Sequence, residues 1–347
     1  FQNIVVFLQE VVLSAHKWLM RGQVGSVGGK TVAELLEMPV RSTVELVQKQ
    51  TGYSLDRNTV RVIFEVLLCA HEKDLESLME AVWPSKVAQL VKQTFLEVQV
   101  EVAQLCGSVV EVTRGPVVLV LDKTLNKLPW ESMPEMLSET VSRVPSLSSL
   151  LALLTLHKQK KDSSFRCGVK RDSVVALVDP ETNLSNAVNV LLPQIQGFKG
   201  WSCLAQKAPT VANLKDFLTN YDLYLYSGHG WGNQFVGGDD LQMFHAKAVA
   251  VVMGCSSGRL DYKPRLDGDG GPLYFLLAGC PTVMGNLWVV TDKDIDKFTL
   301  KLVTEWMAQD RPVPLSDLLK QARQVCRLVG LNGFAPVIYG LPIMMNN

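Results

Sequence analysis

The sequence predicts an α/β fold, a mostly parallel sheet flanked by helices and preceded by a helical region. Three observations predict it. Short β-rich runs begin only after Pro116 and then alternate with helical stretches, whereas up to about residue 106 the apolar positions recur at helical spacing. The composition, 47% hydrophobic and 20% charged over 347 residues, is enough to bury a sizeable core divided between two domains.

In chain order, residues 1–110 read as the helical region. The apolar start, Phe1 to Leu19, is interrupted by Gln2, Asn3, Gln9, Glu10, His16 and Lys17, so it reads as an amphipathic helix and not as a membrane span or secretory leader. A first residue of Phe fits a piece of a longer protein. The helical pattern continues in Val44-Glu45-Leu46-Val47 and Phe64-Glu65-Val66-Leu67-Leu68, and the texture changes at Gly107 to Pro116. The strand candidates that follow are Val117–Leu121, Ser173–Val178, Trp201–Leu204, Asp222–Tyr226, Ala246–Met253 and Pro281–Trp288. His157 to Asp172 is basic, polar and without apolar period, and reads as a mobile surface loop. A nucleic-acid patch is the sharper alternative there, but few aromatics are interleaved.

Lys plus Arg and Asp plus Glu both number 34, so no global field draws the chain to nucleic acid or to an anionic membrane, and electrostatic recognition must be local. Neither a membrane nor a nucleic acid is an expected partner of this region. The cysteines (Cys69, Cys106, Cys167, Cys203, Cys255, Cys280 and Cys326) include no CxxC pair, which argues against a zinc cluster and a dense disulfide framework. A reducing, intracellular compartment fits, and neither a metal nor a cofactor is called for.

The chemistry gathers at two strand ends. Asp222–Tyr226 runs into Ser227-Gly228-His229-Gly230, and Ala248–Met253 runs into Gly254-Cys255-Ser256-Ser257-Gly258. In parallel α/β sheets reactive side chains collect at the carboxyl ends of strands. If the two strands are neighbours, an imidazole and a thiol meet there, the pair needed to stabilise a thiolate and later protonate a leaving amine. Gly228, Gly230 and Gly254 permit tight turns that let a substrate backbone approach, and the amides of Gly230 and Cys255 are the oxyanion-binding candidates. No third catalytic group is evident, so the reading is a dyad. Taken singly, a cysteine after an apolar strand is usually a small buried hydrophobe, and a lone histidine is usually structural. Their joint occurrence in glycine turns favours catalysis. Cys69, Cys106 and Cys280 read as packing residues, and His245, which begins no glycine turn, ranks below His229 as a base.

At these residues the sequence resembles separase, the cohesin-cleaving protease of the caspase-like clan. The resemblance is carried by Leu121-Asp-Lys-Thr-Leu-Asn-Lys-Leu-Pro-Trp-Glu131, Ser227-Gly-His-Gly230, Met253-Gly-Cys-Ser-Ser-Gly258, Ala278-Gly-Cys-Pro-Thr-Val-Met-Gly-Asn-Leu-Trp288 with Thr291-Asp-Lys-Asp-Ile-Asp296, and Ile338-Tyr-Gly-Leu-Pro342. It implies a caspase-like sheet, with residues 111–180 as a substrate-side, pseudo-protease subdomain and 181–347 as the active protease domain. It also implies cleavage of a cohesin kleisin subunit after arginine, with His229 as general base and acid and Cys255 as nucleophile. An inhibitory securin-like chaperone is the implied partner, and cytoplasm and nucleus the implied location.

An arginine substrate needs a carboxylate that can meet its guanidinium in bidentate fashion. Asp292, Asp294 and Asp296 are the available group. Thr291 with Asp294 forms a capping-box pattern, which gives Asp294 a structural role, while Asp292 and Asp296 lie four apart on one helical face. Asp296 is the favoured arginine partner and Asp292 the second, against a solvated helix face. Trp130 and Trp288 read as core or pocket-wall residues. Separases commonly carry an aspartate where this chain has Val289, and the stretch with Trp231, Gln234 and Phe235 is divergent. Two other readings stay open: a non-catalytic scaffold binding securin-like or cohesin partners, which has no need of both His229 and Cys255, and another caspase-like peptidase.

Overall fold

The computed structural model describes residues 26–27, 30–57, 60–61, 64, 79, 83–106, 116–122, 124–133, 136–137, 139–262 and 268–346. The amphipathic helix expected at Phe1–Leu19, and Cys69, lie outside them, as does the side chain of Cys106. Two compact units divide the chain, one containing Val6–Gly115 and the other Pro116–Asn347.

In the first unit, α1 (Val32–Thr51) and α2 (Ser85–Cys106) are long helices. Leu36, Val40, Thr43 and Val47 recur at helical spacing and are all buried, as are Val87, Ala88, Val91 and Phe95 on the facing helix. The two stripes pack with Trp83, Met79 and Phe64, whose ring meets that of Phe95 edge-on at 5.1 Å.

The second unit is built on one eight-stranded sheet. Its strands are β1 (Val117–Val120), β2 (Val141–Val144), β3 (Val174–Val178), β4 (Trp201–Ala205), β5 (Leu223–Ser227), β6 (Val249–Val252), β7 (Thr282–Asn286) and β8 (Pro336–Gly340). They lie in the order β1-β2-β8-β7-β6-β5-β3-β4. Every pairing is parallel except that of β7 with β8. No break in the sheet falls near residue 180, because β1 and β2 reach the rest through β8 and β3 lies beside β5.

Strict alternation buries both faces. Val174, Ala176, Val178, Leu223, Leu225, Val249 and Val251 point to one side, under α6 (Asp292–Met307) and α7 (Leu315–Arg323). Val175, Leu177, Tyr224, Tyr226, Ala250 and Val252 point to the other, under α4 (Val211–Asn220) and α5 (Gly271–Ala278), with Leu153 of α3 (Leu147–Gln159) in the same cluster. A period of two with apolar residues in both phases is what a sheet covered on both faces requires.

Two strands were not legible. β2 reads Val-Ser-Arg-Val, with a charged residue that is 1% exposed, and β8 begins at proline and ends at glycine. The segment Leu121–Glu131 explains the first. Arg143 of β2 makes a bidentate pair with Glu131 (Nε to Oε1 2.7 Å, Nη2 to Oε2 2.6 Å) and donates to the carbonyls of Asn126 and Leu128. Burial by itself raises the Glu131 carboxyl, but the Arg143 charge and hydrogen bonds outweigh it and hold the group below its ordinary range. Trp130 is buried beside this cradle, its indole donating to the Leu125 carbonyl. The block thus serves the fold.

The mobile loop expected at His157 to Asp172 is instead packed. α3 runs on through His157, which is fully buried with Nδ1 2.8 Å from Ser163 Oγ. Lys160 donates to the Ala246 carbonyl, a short helix spans Ser164–Cys167, and Arg171 donates to the Trp306 carbonyl. Polar side chains that satisfy carbonyls elsewhere in the fold look, in sequence, like solvated ones. Among the described residues no helix is long and apolar enough to cross a membrane, and no group of three or more His, Cys, Asp or Glu is disposed to hold a metal ion.

Candidate active site

β5 and β6 are hydrogen-bonded neighbours in a register that pairs Tyr226 with Val252. Three residues beyond each partner stand His229 and Cys255, so the equal step past paired positions brings both to the same edge. The segment after β3, Ala187–Leu191 and Leu192–Gly197, packs on one face of the sheet, and the segment after β5, with Val236 and Leu241, packs on the other. Where successive connections leave to opposite faces, a crevice opens at the carboxyl ends.

The two turns interlock through backbone. A Cβ at Gly254 would lie 2.0 Å from the Gly230 carbonyl oxygen and 2.7 Å from the Gly230 nitrogen. The space that glycine frees at Gly254 is therefore filled by the neighbouring turn, not left for a substrate backbone as the sequence led us to expect. Behind Cys255, Ser256 is held at a φ of +55° by its N–H to the Trp288 carbonyl. Ser257 Oγ donates to the Val252 carbonyl and accepts from the Asn286 N–H, and Asn286 Nδ2 donates to the Gly254 carbonyl. Tyr339 Oη donates to the Gly258 carbonyl. These bonds join the blocks Met253–Gly258, Ala278–Trp288 and Ile338–Pro342 into one support for the thiol.

His229, Cys255, Ser227, Leu184, Val290, Asp292 and Asp296 line one cavity. The thiol of Cys255 is half-buried and donates to the Val290 carbonyl at 3.2 Å. The exposed His229 ring has Nε2 2.9 Å from Asn183 Oδ1 and 3.5 Å from Glu181 Oε2. Imidazole and thiol share the cavity, each held by its own neighbour. The N–H groups of Gly230 and Cys255 have no described protein acceptor.

The three aspartates separate. Asp296 is 3% exposed and accepts from Asn186 Nδ2 at 2.7 Å. Burial, reinforced by the nearby Asp292 charge and opposed by the bond from Asn186, pushes its carboxyl up to about 6. Asp292 lines the same cavity from an exposed position at the start of α6. Asp294 is turned away and accepts from the N–H groups of Arg327 and Leu328 and from Asn332 Nδ2. The expected capping box does not form, because Thr291 makes no side-chain cap and its Oγ1 accepts from the same Asn332 amide. Trp288, expected as a core or pocket-wall residue, is half-buried and donates to the Leu331 carbonyl, and it is not among the residues that line the cavity. His245 is exposed and outside the cavity; Cys280 is buried, its thiol pushed upward by burial.

The sequence model of the family described as "Separin, protease domain" matches residues 30–295. The chain belongs to that family. Separin of Mus musculus is 39% identical over 228 residues, covering 66% of this chain and 11% of that protein. Separin of Schizosaccharomyces pombe is 37% identical over 239 residues (67% and 13%), and that of Saccharomyces cerevisiae 33% over 236 residues (65% and 14%). The chain thus spans 11% to 14% of the length of these curated relatives. Two structures of the Saccharomyces cerevisiae separase–securin complex match 99% of this chain and 24% and 25% of theirs, with TM-scores of 0.69 and 0.71 at 23% and 24% identity. That likeness shows the fold.

Sequence reasoning missed the neighbours that hold the candidate site's side chains: Asn183 and Glu181 at the histidine, and Asn186 at Asp296. Their signal was the polar turn Asp179-Pro-Glu-Thr-Asn183, which follows a fully buried strand at the same sheet edge as the two glycine turns.

Proposed function

We propose that this chain is the catalytic part of a separase-type cysteine endopeptidase that cuts the kleisin subunit of cohesin after arginine, allowing sister chromatids to separate. The observation that carries the reading is the shared cavity: thiol, imidazole and a buried carboxylate with a raised pKa line one space. A nucleophile and a base in one cavity are the requirements of acyl transfer. A buried aspartate without a cation beside it is the complement of a guanidinium.

In the proposed reaction His229 takes the Cys255 proton, and the thiolate attacks the carbonyl carbon of the scissile bond. A C–S bond forms and the carbonyl π pair moves to oxygen, where the Gly230 and Cys255 N–H groups receive the charge. As the oxyanion collapses the C–N bond breaks, and the imidazolium delivers its proton to the departing amine. Water then adds to the thioester, its proton passing to His229, and release of the acid restores the thiol. For this the Cys255 thiol must leave the Val290 carbonyl. The substrate arginine enters beside Asp296, whose carboxylate is ionised by the arriving charge, with Asp292 at the rim.

Because the solved relatives are complexes of separase with securin, an inhibitory securin-like partner occupying this cleft is part of the proposal. Activity in cytoplasm and nucleus follows from the proposed substrate. The test is labelling with an arginine-terminated acyloxymethyl ketone, the adduct located by mass spectrometry in wild type and His229→Ala. An adduct on Cys255 that depends on His229 is the expected result. A folded chain that takes no label would instead favour a scaffold that binds such partners without cutting them.

A further inference from the structure

We infer that Asn183 is a positioning residue for His229, fixing which imidazole nitrogen is basic, so that the site works as more than a dyad. The inference rests on the proposed role of His229 as general base, and it deepens that role by naming what orients the ring.

The contacts converge on one nitrogen. Nε2 of His229 lies 2.9 Å from Asn183 Oδ1, with Glu181 Oε2 at 3.5 Å. A carbonyl oxygen and a carboxylate both accept, so this nitrogen carries the hydrogen and Nδ1 is left with the lone pair. A neutral ring locked in one tautomer is ready to take a thiol proton. The imidazolium that results is stabilised by the same two oxygens. The backbone of His229 is fixed as well, its carbonyl accepting from Tyr226 Oη at 2.7 Å.

Asn183 is itself held by a built turn. Asp179, 1% exposed and at a φ of +47°, donates its N–H to the Ser227 carbonyl at the end of β5. Its Oδ1 accepts from the N–H groups of Asn183 and Leu184 at 2.9 and 3.0 Å. The turn after β3 is thereby tied to the strand that delivers His229. Glu181 is braced separately, its Oε1 accepting from Gln234 Nε2 at 3.1 Å. Only the backbone of Asn183 serves the turn, which leaves its side chain free to act on the histidine.

The experiment compares Asn183→Leu, Asn183→Ala, Asn183→Asp, His229→Ala and wild type for the rate of Cys255 alkylation by iodoacetamide across pH. Sites are resolved by mass spectrometry, with exposed Cys167 and Cys203 as internal references. Loss of the acceptor in the Leu and Ala variants is expected to slow Cys255 alkylation and peptide cleavage by about tenfold to a hundredfold. Asp, which keeps an acceptor, is expected to restore most of the rate and to move the basic limb of the profile upward, since an anion favours the imidazolium. Leu and Ala variants with wild-type rate and pH profile, or an Asp variant as impaired as they are, would overturn the inference. If His229→Ala also leaves Cys255 alkylation unchanged, the reading of His229 as the base fails; if it slows alkylation while the Asn183 variants do not, only the role of Asn183 fails.

Discussion

A Cβ placed on Gly254 would lie 2.0 Å from the carbonyl oxygen of Gly230, so the turn bearing the thiol and the turn bearing the imidazole are in backbone contact. The contact fixes the spacing of the turns that carry Cys255 and His229.

Gly254→Ala must push the two turns apart, because the obstacle is backbone and cannot rotate away. The expected cost is about 1–3 kcal/mol of stability and, for a misplacement near an ångström, roughly a hundredfold in kcat/KM. Urea unfolding and peptide cleavage measure the two. Activity within a factor of two of wild type would show that the turns need not touch.

Cys255→Ser keeps the Cβ and a donor for the Val290 carbonyl, so the melting temperature is expected to stay within a degree or two while turnover falls by about a thousandfold or more. Retained turnover would remove Cys255 as the nucleophile.

The carboxyl of Asp296 is raised to about 6, by burial first. A carboxyl raised in the folded state binds its proton more tightly there than in the unfolded chain. Its ionisation therefore opposes folding as pH rises through that range, fully so above it and not at all near pH 3. Asp296→Asn is expected to stabilise the chain by on the order of 3 kcal/mol at pH 7.5 and by nothing at pH 3, while cleavage of arginine peptides collapses. In wild type, the preference for an arginine over a citrulline peptide is expected to decline as pH falls below about 6. Taking the ratio of two substrates cancels any titration of His229.

Arg143 and Glu131 are 1% and 6% exposed and paired in bidentate fashion. Removing one partner strands the other, so Glu131→Ala is expected to cost about 3–5 kcal/mol. Replacing the pair by Leu and Met together is expected to recover much of that loss. Chemical denaturation of the single and double variants distinguishes a structural cradle from a substrate contact, since the double variant then regains activity along with stability.

Much of the sheet was legible because buried strands announce themselves. Val174–Val178, Leu223–Ser227 and Val249–Val252 are short, apolar and bounded by turn residues, and each was found within a few residues of its observed limits. β2 was not found, since Arg143 in its middle reads as a surface charge until Glu131 is seen opposite. The same ambiguity made His157–Asp172 look like a solvated loop, although Lys160 and Arg171 are committed to carbonyls far along the chain. In the site, His229 and Cys255 were marked by their glycine turns. Asp294 was separated from Asp296 only by what each meets in space.

The sequence by itself determined the local terms: where the apolar period is two, where it is that of a helix, and where glycine permits a tight turn. These depend on residues a few positions apart, and short-range sterics and burial patterning decide them. Tertiary structure alone decided that β5 lies beside β6, that Asn183 reaches His229 across 46 positions, and that Asn186 reaches Asp296 across 110. A period of two fixes which face a strand presents but not which strand stands next to it. Strand order is set by the joint packing of both faces of the sheet, and with it the company that each reactive side chain keeps.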